Sequence, residues 1–142
     1  MSQNYANHAR FVPLYHFVAG PILLINFGFQ IYRVVERPGT ETIISLLLAI
    51  ALVLVFLYVR AFANTVQDRV IRLEMRLRLA NILPVDMRQR ITEFTVDQLI
   101  GLRFASDAEL PDLARKVLAE KIATRKAIKL LVKDWQADEL RA

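Results

Sequence analysis

Ile43-Ile44-Ser45-Leu46-Leu47-Leu48-Ala49-Ile50-Ala51-Leu52-Val53-Leu54-Val55-Phe56-Leu57-Tyr58-Val59 contains no charge, no glycine and no proline. A helix drawn through it has no polar face, so it cannot lie half-exposed in water. At about 1.5 Å per residue it covers roughly 25 Å, close to the thickness of a hydrocarbon core. The stretch reads as a membrane span, and the rest of the chain is read outward from it.

Towards the N-terminus, Pro38-Gly39-Thr40 is a turn, and a second apolar stretch precedes it at about residues 11–32. That stretch is impure, interrupted by Pro13, His16, Gly20, Pro21, Asn26, Gly28 and Gln30. Pro21 lacks a backbone donor and its ring crowds the preceding turn, so a kink is expected at Gly20-Pro21. Phe11, Tyr15 and Phe17 at one end and Tyr32 at the other suit the two interfaces of a bilayer. The flank Gln30-Ile31-Tyr32-Arg33-Val34-Val35-Glu36-Arg37 has no small-x-small cleavage site, so the stretch reads as a retained span rather than a signal peptide. Residues 1–60 are therefore expected to form a transmembrane hairpin with spans at about 11–32 and 42–59. Arg60, Arg69, Arg72, Arg76 and Arg78 follow the second span, whereas the loop offers Arg33 and Arg37 against Glu36 and Glu41. The positive-inside rule then places both termini in the cytoplasm.

Towards the C-terminus nothing stops the second helix at Arg60. No Gly or Pro occurs before Pro84, so residues 61–83 are expected to continue the span into the cytoplasm. Apolar or small residues recur at alternating three- and four-residue steps: Phe56, Val59, Ala63, Val66, Val70, Leu73, Leu77, Ala80. That is a narrow heptad seam, with Arg69 and Glu74 at its flanking g and e positions. Either a neighbouring chain or the chain's own later helices must cover it, and the narrow stripe leans towards the neighbour. Residues 84–142 read as a small helical domain. Met87, Ile91 and Phe94 share one side, and Thr95-Val96-Asp97-Gln98 has the capping-box form. Ser106-Asp107-Ala108-Glu109 has the same form before Leu110, Leu113, Val117, Leu118 and Ile122. Thr124 is expected to cap a last helix whose Ile128, Leu131, Val132 and Trp135 form one face. The fold class is thus an all-α membrane protein: a two-helix transmembrane hairpin, its second helix extended, then a small helical domain.

Composition bounds the chemistry. The chain has 142 residues, 55% of them hydrophobic, a formal net charge of +5 and no cysteine. Disulfides, thiolate metal sites and cysteine nucleophiles are excluded. From Arg60 onward sixteen basic residues face twelve acidic ones, so the basic excess follows the spans.

The opening Gln3-Asn4-Tyr5-Ala6-Asn7-His8-Ala9-Arg10-Phe11-Val12-Pro13-Leu14-Tyr15-His16-Phe17, the stretch Val66-Gln67-Asp68-Arg69-Val70-Ile71-Arg72-Leu73-Glu74, the stretch Leu102 to Pro111, and the closing Ile128-Lys129 with Trp135-Gln136-Ala137-Asp138 share a character. Together they resemble a family of small bacterial two-span membrane proteins, domain-of-unknown-function family 6526. The resemblance covers nearly the whole chain. It implies a bacterial inner-membrane protein and carries no activity, ligand or catalytic residue.

Few residues stand out as sites. His8 and His16 are the only histidines, and about 12 Å of helical rise separates them, too far to chelate one ion. His16 could ligate a haem between two chains, but an imidazole near the membrane boundary is ordinary. Asn26 and Gln30 lie one turn apart in the first span, where Gly20 and Gly28 allow close backbone approach. Helix adhesion is favoured for them over a polar path for an ion. Asp107, Glu109 and Asp112 match no dedicated metal loop and suit a helix start. Arg60 lies at lipid head-group depth. Stacking aromatics set among basic residues are lacking, which argues against nucleic acid. No phosphate loop, nucleophile–base order or paired-His motif occurs, so no metal, cofactor or small-molecule ligand is assigned and an enzyme is not expected. The function expected is a non-enzymatic membrane interaction protein: a homo-oligomeric scaffold, or an accessory subunit of a larger membrane complex in the bacterial cytoplasmic membrane. The alternatives are an oligomeric channel lined by the first span and, more weakly, a haem-binding electron-transfer subunit.

Overall fold

The computed structural model describes Tyr5 and residues 12–138; His8 and Phe11 lie outside the described residues. Every regular element among them is helical. A π-helical turn, Leu14–Ala19, leads into α1 (Gly20–Glu36), and α2 (Thr40–Ile82) follows. Then come α3 (Val85–Arg88), a 3-10 turn (Ile91–Glu93), α4 (Val96–Leu102), α5 (Leu110–Ala119) and α6 (Arg125–Leu131). Residues 12–64 form one compact unit, and Tyr5 with the residues from Thr65 onward another.

In the first unit the hydrogen-bond ladder changes character at Gly20. Its N–H reaches the carbonyl of Tyr15, and Pro21 follows with no N–H to give. A proline ring crowds the carbonyl four residues back, here that of Phe17, and a turn closed by longer bonds makes room for it. At the other end of α1, Pro38 cannot extend the helix. The Thr42 hydroxyl accepts from the Gly39 N–H (3.1 Å) and donates to the carbonyl of Arg37 or Gly39 (3.1 and 2.9 Å). Beside this turn Arg33 pairs with Glu41 at 3.4 Å. Far from it, the Tyr15 ring stacks on Phe56 at 4.0 Å, and its hydroxyl donates to the Phe56 carbonyl. The helical runs Leu14–Glu36 and Thr40–Ile82 are both long and apolar enough to cross a membrane.

In the second unit the core is built on one face of α2. Ile71, Met75, Leu79 and Leu83 recur every four residues and are 5%, 2%, 0% and 0% exposed. Pro84 then turns the chain into extended geometry (ψ 155) ahead of α3. Met87, Ile91 and Phe94 are buried against this face. The capping box at Thr95 closes as its sequence form requires: Thr95 Oγ accepts from the Gln98 N–H (3.3 Å) and Gln98 Oε1 from the Thr95 N–H (2.8 Å). The buried Gln98 also donates to the Ile122 carbonyl at 3.0 Å. α4 lies against α6 at Gly101, where a Cβ would stand 2.8 Å from Ile128 Cβ. α5 ends in a Schellman turn, with Ile122 N–H on the Val117 carbonyl and Lys121 in the left-handed region (φ 50).

Two expectations are corrected here. The Ser106 hydroxyl does cap, accepting from the Glu109 N–H at 3.4 Å. The Glu109 carboxylate does not return to Ser106. It instead accepts from the N–H groups of Lys133 and Asp134 at 2.9–3.1 Å. The last helix, capped by Thr124, ends at Leu131. Val132 and Trp135 are therefore off it, because the segment leaves α6 to pair with Ala105. Ala105 and Trp135 form an isolated bridge, with Gln136 N–H on the Phe104 carbonyl at 2.7 Å.

Candidate interaction surface

The side chains of α2 beyond Asn64 present two apolar stripes. The stripe Ile71, Met75, Leu79 is covered by the domain. The other is Val66, Val70, Leu73 and Leu77, which are 61%, 48%, 61% and 61% exposed. In the heptad frame of that exposed seam the covered residues take b, f and c positions, on the opposite side of the helix. The domain thus folds back on α2 but leaves the predicted seam bare. Phe56, which the seam pattern also includes, is instead half-buried under Tyr15. Charge flanks the bare stripe. Arg69 and Glu74 are both exposed, and neither makes an ion pair among the described residues. Arg69, Arg72 and Arg76 surround Leu73 in a shallow depression of about 290 Å³. The Arg76 Nε is shut from solvent there without a hydrogen-bond partner.

Arg78, two residues on, has a different role that sequence reading missed. Its guanidinium lies on the Asp107 carboxylate (2.6 and 2.8 Å), the carbonyls of Arg103 (3.1 Å) and Ala105 (2.7 Å), and Gln136 Oε1 (2.7 Å). One planar fork thereby ties α2 to the α4–α5 connection and to the segment after α6, residues 132–138, the C-terminal strap. Lysine cannot reproduce that geometry. The strap is further held by Phe104, fully buried and stacked on Trp135 at 4.4 Å. Arg103 and Lys129 lie over the Phe104 ring at 4.5 and 4.7 Å.

The remaining candidates are dispersed. Asn26 is exposed on α1, and Gln30 is half-buried with its Oε1 shut off and unpartnered. Gly28 has nothing within 4 Å of its Cβ direction, whereas Gly20 lies 3.4 Å from the Phe56 ring. His16 lies in the π-helical turn, its Nδ1 3.0 Å from the Val12 carbonyl and its ring edge-on to Tyr15. Arg60 is half-exposed, one residue past the apolar run. Asp107 and Glu109 are engaged as described, and Asp112 faces Arg115 at 3.9 Å. Among the described residues no three His, Cys, Asp or Glu side chains gather as a metal site. Hydrogen bonds from the exposed Arg90 hold the Glu93 carboxyl below its ordinary range.

A sequence model described as a family of unknown function, DUF6526, matches residues 1–142. The chain belongs to that family. No curated protein and no solved structure matches it.

Proposed function

We propose that this member of the family is a non-enzymatic integral membrane protein. A hairpin of two spans anchors it in the cytoplasmic membrane with both termini on the cytoplasmic side. It works as a homo-oligomeric scaffold, or as an accessory subunit of a larger membrane complex, through the surface of its helical unit. The observation that carries this reading is the outward display of apolar side chains on both long helices. None of the apolar window within Leu14–Glu36 is buried, and only 11% of that within Thr40–Ile82. Leu14, Ile25 and Val35 are 73–75% exposed. Each such side chain would forgo about 1.5–3 kcal/mol if left in water, so lipid is the solvent that suits them. The exposed Asn26 supports contact with a further helix, because amides in hydrocarbon seek partners. The acidic side chains of the helical unit support a structural rather than a chemical role, since Asp107, Glu109 and Asp97 serve in ion pairs and caps.

Alkaline carbonate washing of membranes, followed by native mass in mild detergent, tests the proposal. The chain should stay with the bilayer until detergent is added, then migrate as an assembly. Release by carbonate would overturn the anchor. A lone chain of 16.3 kDa plus detergent would overturn the interaction role.

A further inference from the structure

The stripe that the helical unit leaves bare has the chemistry of a self-complementary surface. We propose that Val66, Val70, Leu73 and Leu77 are the buried layers of a parallel two-stranded coiled coil between two copies of this chain.

The layers alternate in steps of four, three and four residues, with Val70 and Leu77 at a and Val66 and Leu73 at d. In the central layers Val70 at a lies beside Leu73 at d, the combination that two strands favour, whereas Leu77 at a and Val66 at d carry no such preference. All four side chains are about half or more exposed, while Ile71, Met75 and Leu79 behind them are 5% exposed or less. A partner can therefore seat on the front of α2 without displacing the domain from its back.

Charge selects the occupant. Arg69 stands at g and Glu74 at the following e, five residues on. In a parallel pair, g of one helix meets the next e of the other, so Arg69 of each copy lies beside Glu74 of its mate, twice by symmetry. An antiparallel pair would set g against g and bring the arginines together. The next g–e pair is Arg76 with Asn81, whose amide oxygen can accept from the outer N–H groups of the Arg76 guanidinium. The cluster Arg69, Arg72, Arg76 repels itself as it stands, and Glu74 of a second copy relieves that.

The orientation rests in addition on the anchored reading, since copies inserted alike in one membrane can pair only in parallel. Confinement in the membrane also matters for strength. So short a coil is marginal when free, but anchoring raises the effective concentration of one copy around another.

The chain has no cysteine, so single-cysteine variants of the full chain in its membrane report pairing cleanly. Val70→Cys and Leu73→Cys should give disulfide-linked dimers, and Arg72→Cys, on the flank, should not. Arg69→Glu or Glu74→Arg alone, in the Leu73→Cys background, should lower cross-linking by roughly tenfold as attraction turns to repulsion in both symmetric pairs. The double exchange Arg69→Glu with Glu74→Arg should restore it. Absence of cross-links at Val70 and Leu73, or equal cross-linking at Arg72, overturns the coil. Failure of the double exchange to restore pairing also overturns it, in favour of an acidic partner or lipid at the arginines. The substitutions at Arg69, Val70, Leu73 and Glu74 leave the Ile71–Met75–Leu79 face untouched. Arg72 shares the c position of Leu79 but is exposed, and Trp135 fluorescence checks that the domain stays folded. The carbonate wash is scored separately: a chain retained by the bilayer without cross-links leaves the anchor standing and removes the coil, whereas a released chain that still cross-links does the reverse.

Discussion

Gly101 is the residue on which the packing of α4 against α6 turns. A methyl group there would stand 2.8 Å from Ile128 Cβ, 2.9 Å from its Cγ2 and 3.3 Å from the Arg125 carbonyl. Backbone and a β-branched side chain cannot swing aside as a lysine tip would. Gly101→Ala is therefore expected to destabilise the helical unit by about 2 kcal/mol, despite alanine's better helix propensity. Trp135 is the only tryptophan and stacks on buried Phe104, so its fluorescence follows unfolding of this unit. The denaturant midpoint should fall; an unchanged midpoint would mean that α6 shifts freely and that Gly101 is not a contact requirement. Neither this glycine nor the Arg78 clamp was legible beforehand. A glycine inside a short helix signals close approach without naming the neighbour, and an arginine just past a span is read first as an orientation signal.

At the scale of elements, α2 carries the main lesson. It is apolar on two opposite faces after Asn64, so its pattern lacks the single polar side that identifies an ordinary surface helix. The more regular stripe, at heptad spacing, is the one the domain does not use. The covered stripe runs Ile71, Met75, Leu79 at steps of four and is interleaved with charges, which hides it from a heptad count. The two stripes should respond oppositely to truncation. Leu79→Ala removes a fully buried side chain and is expected to cost about 3 kcal/mol of domain stability. Leu77→Ala, on the bare side, should change that stability by less than about 0.5 kcal/mol. Chemical denaturation of both variants in the same detergent decides this, and equal losses would mean that the domain spreads over both faces.

For the whole molecule, charge placement leads to a prediction about sidedness. Reporter fusions at the two ends should be active in the cytoplasm and a fusion at Pro38–Gly39 on the opposite side, because Arg60, Arg69, Arg72 and Arg76 follow the apolar run whereas the loop's Arg33 is offset by Glu41 at 3.4 Å. A C-terminal reporter active outside would reverse the orientation. What the amino-acid order determined by itself is local: helices throughout, two runs long and apolar enough to cross a membrane, the end of α2 at Pro84, and the Thr95 and Thr124 caps. Each of these depends on residues within a turn or two of one another, or on composition summed along a segment. The tertiary structure alone decided which face of α2 the domain takes, that Glu109 caps the strap rather than its own helix, that Trp135 leaves α6 to pair with Ala105, and that Arg78 joins three segments. Those choices balance contacts between residues far apart in sequence. Periodicity says that a face is apolar, but only packing says what covers it.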